Sequence, residues 1–361
     1  MRRFIVPPYL LVHLSGLRAS GLDDPTLARA IDAARHSLAI DTPFRETRES
    51  PEGGRAPRPG ARSPGAERPG APDRTISDAQ NAETLPGVVV RREGDSETDD
   101  VAVTEAYDGF GHTHALFADV FGRASIDDAG FPLDGTVHFG RDYDNAFWDG
   151  ERMVFGDGDG IVFRRFTASL SVIGHELAHG VIEFTAGLIY RGQSGALNES
   201  IADVFGALVE QRVLGQDADE ASWLIGAGLF TDRVQGAALR SMSAPGTAFD
   251  DDVLGTDPQP ASMDDYIDTT DDNGGVHLNS GIPNRAFHLA ATAIGGPAWE
   301  GAGRIWYDTL TAGSIRADCT FAQFASATTD AAGSRFGSGS AEHTAVTAAW
   351  RTVGVVAGTD A

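Results

Sequence analysis

Lysine is missing altogether: all 28 basic residues in the 361 are Arg, against 52 Asp and Glu, and the formal net charge is −24. No mechanism calls for a lysine-free chain, and coding bias is the simplest reading. A body this acidic repels phosphate backbones and anionic headgroups, so neither nucleic acid nor a membrane is an expected partner. The single cysteine, Cys319, excludes an internal disulfide and reads as small apolar filler. Nowhere do 18 apolar residues follow one another, so no segment is expected to span a bilayer. Met1–Leu14 opens on Arg2-Arg3 and turns apolar, but Pro7-Pro8 and His13 interrupt it and no small-residue cleavage pattern follows. It is therefore not read as a Sec signal peptide, and a cytoplasmic or non-classically exported precursor is expected. Between Phe44 and Ile76 there is no large apolar side chain, so residues 43–74 cannot offset the entropy of ordering and are expected to be a Pro/Gly/Arg linker open to proteolysis.

What is present divides the chain around that gap. Residues 1–74 carry 12 Arg against 9 acids, whereas the remainder carries 16 against 43. Residues 23–40, with an acidic first turn, Pro25 early and apolar spacing, predict an amphipathic helix within a small unit at 1–42. Helical spacing recurs at 101–121 (Val103, Tyr107, Phe110, His114, Phe117, Val120), and Thr136–Phe139 and Arg152–Phe155 read as strands flanking Asp144-Asn-Ala-Phe-Trp148. Gly156-Asp-Gly-Asp-Gly160 reads as a tight turn, since it lacks the carboxylate run of a calcium loop. Four more helical patterns follow at 284–294, 301–312, 321–332 and 341–353. The expected architecture is α+β, with a mixed, strand-bearing half at 75–190 and a mainly helical half at 191–361.

The chemistry centres on Ser171-Val-Ile-Gly-His-Glu-Leu-Ala-His-Gly180. On a helix His175 and His179 lie one above the other and can reach one metal ion at about 2.0–2.1 Å. Glu176, between them, is placed to take a proton from a metal-bound water. In Gly195-Ala-Leu-Asn-Glu-Ser-Ile-Ala-Asp203 a second helical pattern puts Glu199 and Asp203 on one face. Two histidines and one carboxylate with a fourth position open describe a catalytic zinc. Ile182 and Thr185 stand where the metzincin pattern needs further residues, which excludes that class. Asp271–Gly281 reads as a polar, Gly-rich loop around His277, whose upstream neighbours Asp271 and Asp272 could each hold the ring protonated as an electrophile.

Together with Asn145-Ala-Phe-Trp148, Leu239-Arg-Ser-Met-Ser243 and Asp272-Asn-Gly-Gly-Val-His277, these motifs resemble the thermolysin-like zinc metallopeptidases from about Ile76 to Gly354. Pro7-Pro-Tyr-Leu-Leu11 is similar to the short precursor segment of the protealysin branch. The resemblance implies a cleft between two domains and one zinc ion on His175, His179 and Glu199. It implies Glu176 as general base, Asp203 behind a ligand imidazole, Tyr190 and His277 as donors to the oxyanion, and Asp272 orienting His277. Asn145, the Ala146 carbonyl and Arg240 would grip the peptide main chain. Phe163, Phe166, Val172, Leu229 and Leu239 would line an apolar pocket, so cleavage is expected on the amino side of Leu, Phe, Ile or Val in peptides and proteins.

The chain departs from the calcium-dependent relatives where Ser171, Ser222, Leu224, Ala227 and Ala237 replace carboxylates and only Glu210 remains, so calcium is not expected at the usual double site. Latency is expected too: the cationic segment 1–42 would dock on the acidic body with Pro7–Leu11 near the cleft. Activation would cut the linker, with self-cleavage confined to near Phe44 or Ile76. A zinc-stabilised binding protein and a small-substrate amidase or esterase are the rival classes, and a monomer is the expected state.

Overall fold

The computed structural model describes residues 3–17, 25–46 and 70–355. The N-terminal segment forms strand β1 (Arg3–Phe4) and helices α1 (Pro8–Gly16) and α2 (Pro25–Glu46). Next come β2 (Arg74–Asp78), β3 (Val88–Arg92) and α3 (Val101–Ala115), which widens to a π-helical turn at Leu116–Val120. Strands β4 (Leu133–Val137), β5 (Ala146–Trp148) and β6 (Arg152–Phe155) complete one sheet of order β1-β5-β6-β4-β2-β3. Strand β4 runs parallel to both β2 and β6, and the other pairs are antiparallel.

The remaining elements are mostly helical: α4 (Leu170–Glu183), α5 (Gly192–Leu214), a hairpin of β7 (Leu224–Ile225) with β8 (Arg240–Ser241), and a second of β9 (Asp250–Asp251) with β10 (Gly255–Thr256). Helices α6 (Asp272–Asn279), α7 (Gly281–Ile294), α8 (Ala302–Thr311), α9 (Phe321–Phe336) and α10 (Ala341–Thr352) follow. This is the two-domain α+β arrangement that the sequence implied, a mixed sheet followed by a helical domain. No described helix is long and apolar enough to cross a membrane.

Helix α4 is buried at every position from Ser171 to Ile182, which its nearly unbroken apolar sequence allows. Glycines set how closely α5 can lie on it. A side chain on Gly206 would collide with the Ser171 carbonyl, and a Cβ on Gly174 would stand 3.0 Å from the Gly206 Cα. The two backbones therefore nearly touch one turn from His175, which brings the polar face of α5 within reach of the α4 imidazoles. On the other side, the helical domain closes around Trp306 and Trp350, stacked 6.1 Å apart, with the Trp350 indole N–H donating to Thr328 Oγ1 at 2.9 Å. A capping box of Thr320 and Gln323 starts α9.

Several expectations shift. The strand placed at Thr136–Phe139 covers Leu133–Val137, because His138 turns to φ 54° so that its ring bridges Asp100 and Asp157 at 2.9 and 2.8 Å. Ala146–Trp148, read only as flanked by strands, is itself a strand. Asp271–Gly281 is a loop only in its first half: Asp272, Asn273, Gly274 and Gly275 take left-handed φ values, a turn the two glycines ease, and right-handed helix begins only after Gly275. The linker is shorter at both ends than 43–74, since α2 reaches Glu46 and β2 starts at Arg74; residues 47–69 lie outside the described residues. The Gly156–Gly160 stretch, read as a tight turn, runs as irregular backbone with left-handed φ at Gly158 and Gly160, and Asp159 Oδ1 accepts from the N–H groups of Ile161, Val162 and Phe163.

Candidate active site

Helices α4 and α5 bring His175, His179 and Glu199 together, with one potential ligand atom from each within 4.8 Å of the others, the one such group of three among the described residues. His175 Nε2 lies 3.5 Å from Glu199 Oε2 and His179 Nε2 lies 3.4 Å from Glu199 Oε1. His175 Nε2, His179 Nε2 and Glu199 Oε2 are buried and make no hydrogen bond. Three orphaned donors converging from two helices fit a metal ion, and the two-imidazole, one-carboxylate set fits zinc with a position left open.

Each imidazole is fixed from behind. His175 Nδ1 faces Asp203 Oδ1 at 2.7 Å, and His179 Nδ1 faces the Asn198 side-chain oxygen at 2.8 Å. With Nδ1 donating, each ring offers its Nε2 lone pair toward Glu199. Burial, then the neighbouring His175, pushes His179 well below the ordinary imidazole range and keeps it neutral. Asp203 stays ionised although burial opposes it: Arg240 and then His175 hold it well below the carboxylate range. Arg240 donates to both Asp203 oxygens at 2.9 and 2.8 Å, and the Asn284 amide adds a third bond at 2.8 Å.

Glu176 lies between the two imidazoles in sequence, is fully buried, and takes the Trp148 backbone N–H on Oε2 at 2.9 Å, while Oε1 makes no hydrogen bond. Burial first, and the Glu199 charge second, push its pKa well above the usual carboxyl range, as suits a proton acceptor working near neutrality. Tyr190 donates its hydroxyl to Glu199 Oε1, and its oxygen lies 3.2 Å from His277 Nε2. Asp272 receives His277 twice, at Nδ1 (2.7 Å) and at the backbone N–H (2.8 Å). The left-handed entry to α6 is what bends that carboxylate back over its own helix.

The main-chain groups expected to grip substrate are engaged by the chain's own N-terminus. Strand β1 adds antiparallel to β5, pairing Arg3 with Trp148 and Phe4 with Phe147. The Ile5 N–H donates to the Ala146 carbonyl at 3.1 Å, and the Val6 N–H to Asn145 Oδ1 at 3.0 Å. Arg240 Nη1 donates to the Ile5 carbonyl at 3.0 Å, and His277 Nε2 meets the Phe4 carbonyl oxygen at 3.0 Å. Since a carbonyl only accepts, Nε2 donates here, and the His277 network is satisfied when both ring nitrogens carry protons. The segment paired along the cleft is Phe4–Val6, and the Pro7–Leu11 stretch expected near the cleft follows it directly: Pro7 caps the start of α1, and Tyr9 feels the charges of Asp257, Arg240, Asp272 and Asp203.

Phe163, Phe166, Val172, Leu229 and Leu239 are all buried in the main hydrophobic core, and so is Ile5. Leu229 and Leu239 meet over Gly226, where a Cβ would stand 3.0 Å from each. Sequence reasoning missed Asn198 behind His179, although it is the neighbour of Glu199 on the helix. It also missed Ser37 and Asp41, through which α2 holds the same strand: Asp41 accepts from the Tyr143 hydroxyl at 2.7 Å and from the Asn145 amide at 2.8 Å, and Ser37 Oγ accepts the Asp144 N–H at 2.9 Å. Nothing in a helical pattern marks such long-range partners.

A two-domain fold with a zinc-type triad in the helix pair between its halves defines a zinc metallopeptidase, and comparison with known proteins narrows it. The model of the thermolysin metallopeptidase catalytic domain matches residues 72–183, and that of the alpha-helical domain matches residues 186–355. The chain is 55% identical over 289 residues to an extracellular metalloprotease of Pectobacterium carotovorum subsp. carotovorum, covering 79% of this chain and 82% of that one. It is 56% identical over 257 residues to protease PrtS of Photorhabdus sp. (strain Az29), covering 71% and 69%. Among solved structures, the protealysin precursor of Serratia proteamaculans matches with a TM-score of 0.85 at 50% identity, over 98% of this chain and 100% of that one. The chain belongs to the thermolysin metallopeptidase family and is a zinc-dependent metalloendopeptidase of the protealysin-like type.

Proposed function

We propose that this protein is a latent endopeptidase that cuts on the amino side of bulky apolar residues, and that its own residues 3–6 lie in the cleft as a substrate would. The observation that carries this is the contact of the Phe4 carbonyl with His277, with Ile5 next in the chain and its amide and carbonyl held by Ala146 and Arg240. A peptide in that register presents the Phe4–Ile5 bond to the metal site and an isoleucine to the buried apolar core.

His175, His179 and Glu199 would hold zinc, which supplies an acidified water and an electrophile for the scissile carbonyl. Glu176 accepts the proton from the attacking water at Oε1 and passes it to the leaving amine. His277 and Tyr190 donate to the carbonyl oxygen as its charge develops, and Asp272 keeps the His277 ring in place. Asp203 and Asn198 hold the two ligand rings, and Arg240, Asn145 and Ala146 fix the main chain.

Azocasein hydrolysis by the full-length chain and by a chain beginning at Asp73, each with and without o-phenanthroline and beside Glu176→Ala, tests both parts. Activity that the chelator and the substitution abolish, and that rises when residues 1–72 are absent, is the expected result. Equal activity in the two forms would sink latency, and a folded, zinc-loaded protein inert in every form would favour the binding-protein reading. We further propose a monomer that does not use calcium at the double site, where Glu210 instead accepts the Ser171 N–H at 3.2 Å. A melting temperature raised several degrees by millimolar calcium would contradict the latter.

A further inference from the structure

We propose that Glu183 and the His179 carbonyl, at the C-terminal end of α4, form a subsite for an arginine side chain two residues before the cleaved bond. The inference rests on the reading of Phe4–Val6 as lying in substrate register: if Phe4–Ile5 stands at the scissile position, Arg3 is the second residue on its amino side. Arg3 is only 4% exposed, an unusual state for a guanidinium. Its Nη1 donates to the His179 carbonyl at 2.7 Å and lies 3.7 Å from Glu183 Oε2. That carboxylate oxygen is buried and makes no hydrogen bond of its own.

The helix supplies the second half of the argument. The last turn of α4 contains no basic residue, and its terminal position is the carboxylate of Glu183. A helix C-terminus carries partial negative charge, so a carboxylate there is unfavourable unless a cation comes from elsewhere. Here the cation comes from a strand that a substrate replaces when the N-terminal segment leaves. The same carbonyl and carboxylate then face whichever side chain follows that strand register, and a planar guanidinium with several donors suits them best.

The test uses the zinc-loaded full chain, nicked within residues 47–69 by limited trypsin treatment, counting only chelator-sensitive turnover. Quenched peptides differing only in Arg or Ala two residues before a scissile Ala–Leu bond are compared. We expect kcat/KM to favour Arg by about tenfold, as for a charge-assisted hydrogen bond. Glu183→Gln should bring that ratio close to one and leave the preference for Leu over Ala after the bond unchanged. A ratio near one in the wild type, or one that Glu183→Gln does not alter, overturns the subsite and leaves Arg3 as a docking contact only. If wild type cuts neither peptide, it is the peptidase reading that fails. The contact is then judged on the uncut chain by a double-mutant cycle of Arg3→Ala and Glu183→Gln on melting temperature. Losses that fall short of additive support the pair, and additive losses overturn it.

Discussion

Two assemblies meet on strand β5, and they are built differently. The α4–α5 pair is joined by side chains that have no other use: each imidazole has its own buried partner, Asp203 is held from three sides, and two glycines keep the backbones in contact. The N-terminal segment is joined largely through groups with a second occupation. Asn145, the Ala146 carbonyl, Arg240 and His277 are the groups proposed to hold substrate, and β1 borrows them one by one. The first assembly should be permanent and the second exchangeable, although Arg240 belongs to both.

The largest effect should come from breaking the shared member. Arg240→Ala removes the guanidinium from beside a buried Asp203 and leaves that charge to His175 and the Asn284 amide, which costs roughly 3–5 kcal/mol. Urea unfolding should show this in the full chain and in the cut form alike, with zinc affinity weakened by roughly 10–100-fold. A loss confined to the full chain would mean that Arg240 serves docking rather than the permanent assembly.

His277→Ala removes a ring that faces the docked Phe4 carbonyl at 3.0 Å and Glu199 Oε2 at 3.5 Å. The cut enzyme should lose roughly 10²–10³ in kcat/KM with its zinc content unchanged, as for removal of one oxyanion donor. Asp41→Ala should act on docking alone. It leaves the Tyr143 hydroxyl and the Asn145 amide without their buried acceptor, at roughly 1–3 kcal/mol, and the full chain should release activity faster while the isolated peptidase is unaffected. An unchanged lag in azocasein hydrolysis would remove α2 from the latency mechanism.

The same division marks what was legible in the sequence. The permanent assembly could be read because helical period places i and i+4 residues together, so His175 with His179 and Glu199 with Asp203 follow from spacing alone. His277 stood out through the carboxylates just upstream of it, whereas the apolar pocket, the donor Tyr190 and the grip of Asn145 and Arg240 came through family resemblance, and such contacts run across 87 residues for Tyr190–His277 and 235 for Arg240–Ile5. The seat of Arg3–Val6 was not legible. A two-residue strand has no period to detect, and its hydrogen bonds are made by main chain, which every sequence possesses. The Pro7-Pro8 pair marked the turn that ends this seat rather than the seat itself.

The smallest effect lies in the body, away from both assemblies, and shows whether a pH response belongs to the exchangeable contacts at all. His138 joins the cap of α3 at Asp100 to the turn at Asp157 that leads into Phe163 and Phe166. The Asp157 hydrogen bond, opposed by burial and helped by Asp100, raises its pKa from 6.5 to about 9. A folded pKa raised above the unfolded one gives stability that is complete below about pH 6.5 and fades as pH climbs through about 9. His138→Gln should therefore lower the melting temperature by roughly 2–4 °C at pH 6 and by nothing measurable at pH 10. The loss should be equal in full-length and cut protein, because neither β1 nor α2 touches the bridge. A gap between wild type and variant that persists at pH 10 would mean that packing of the ring, not its charge, holds the turn. A gap present only in the full chain would place the pH response at the docked segment instead.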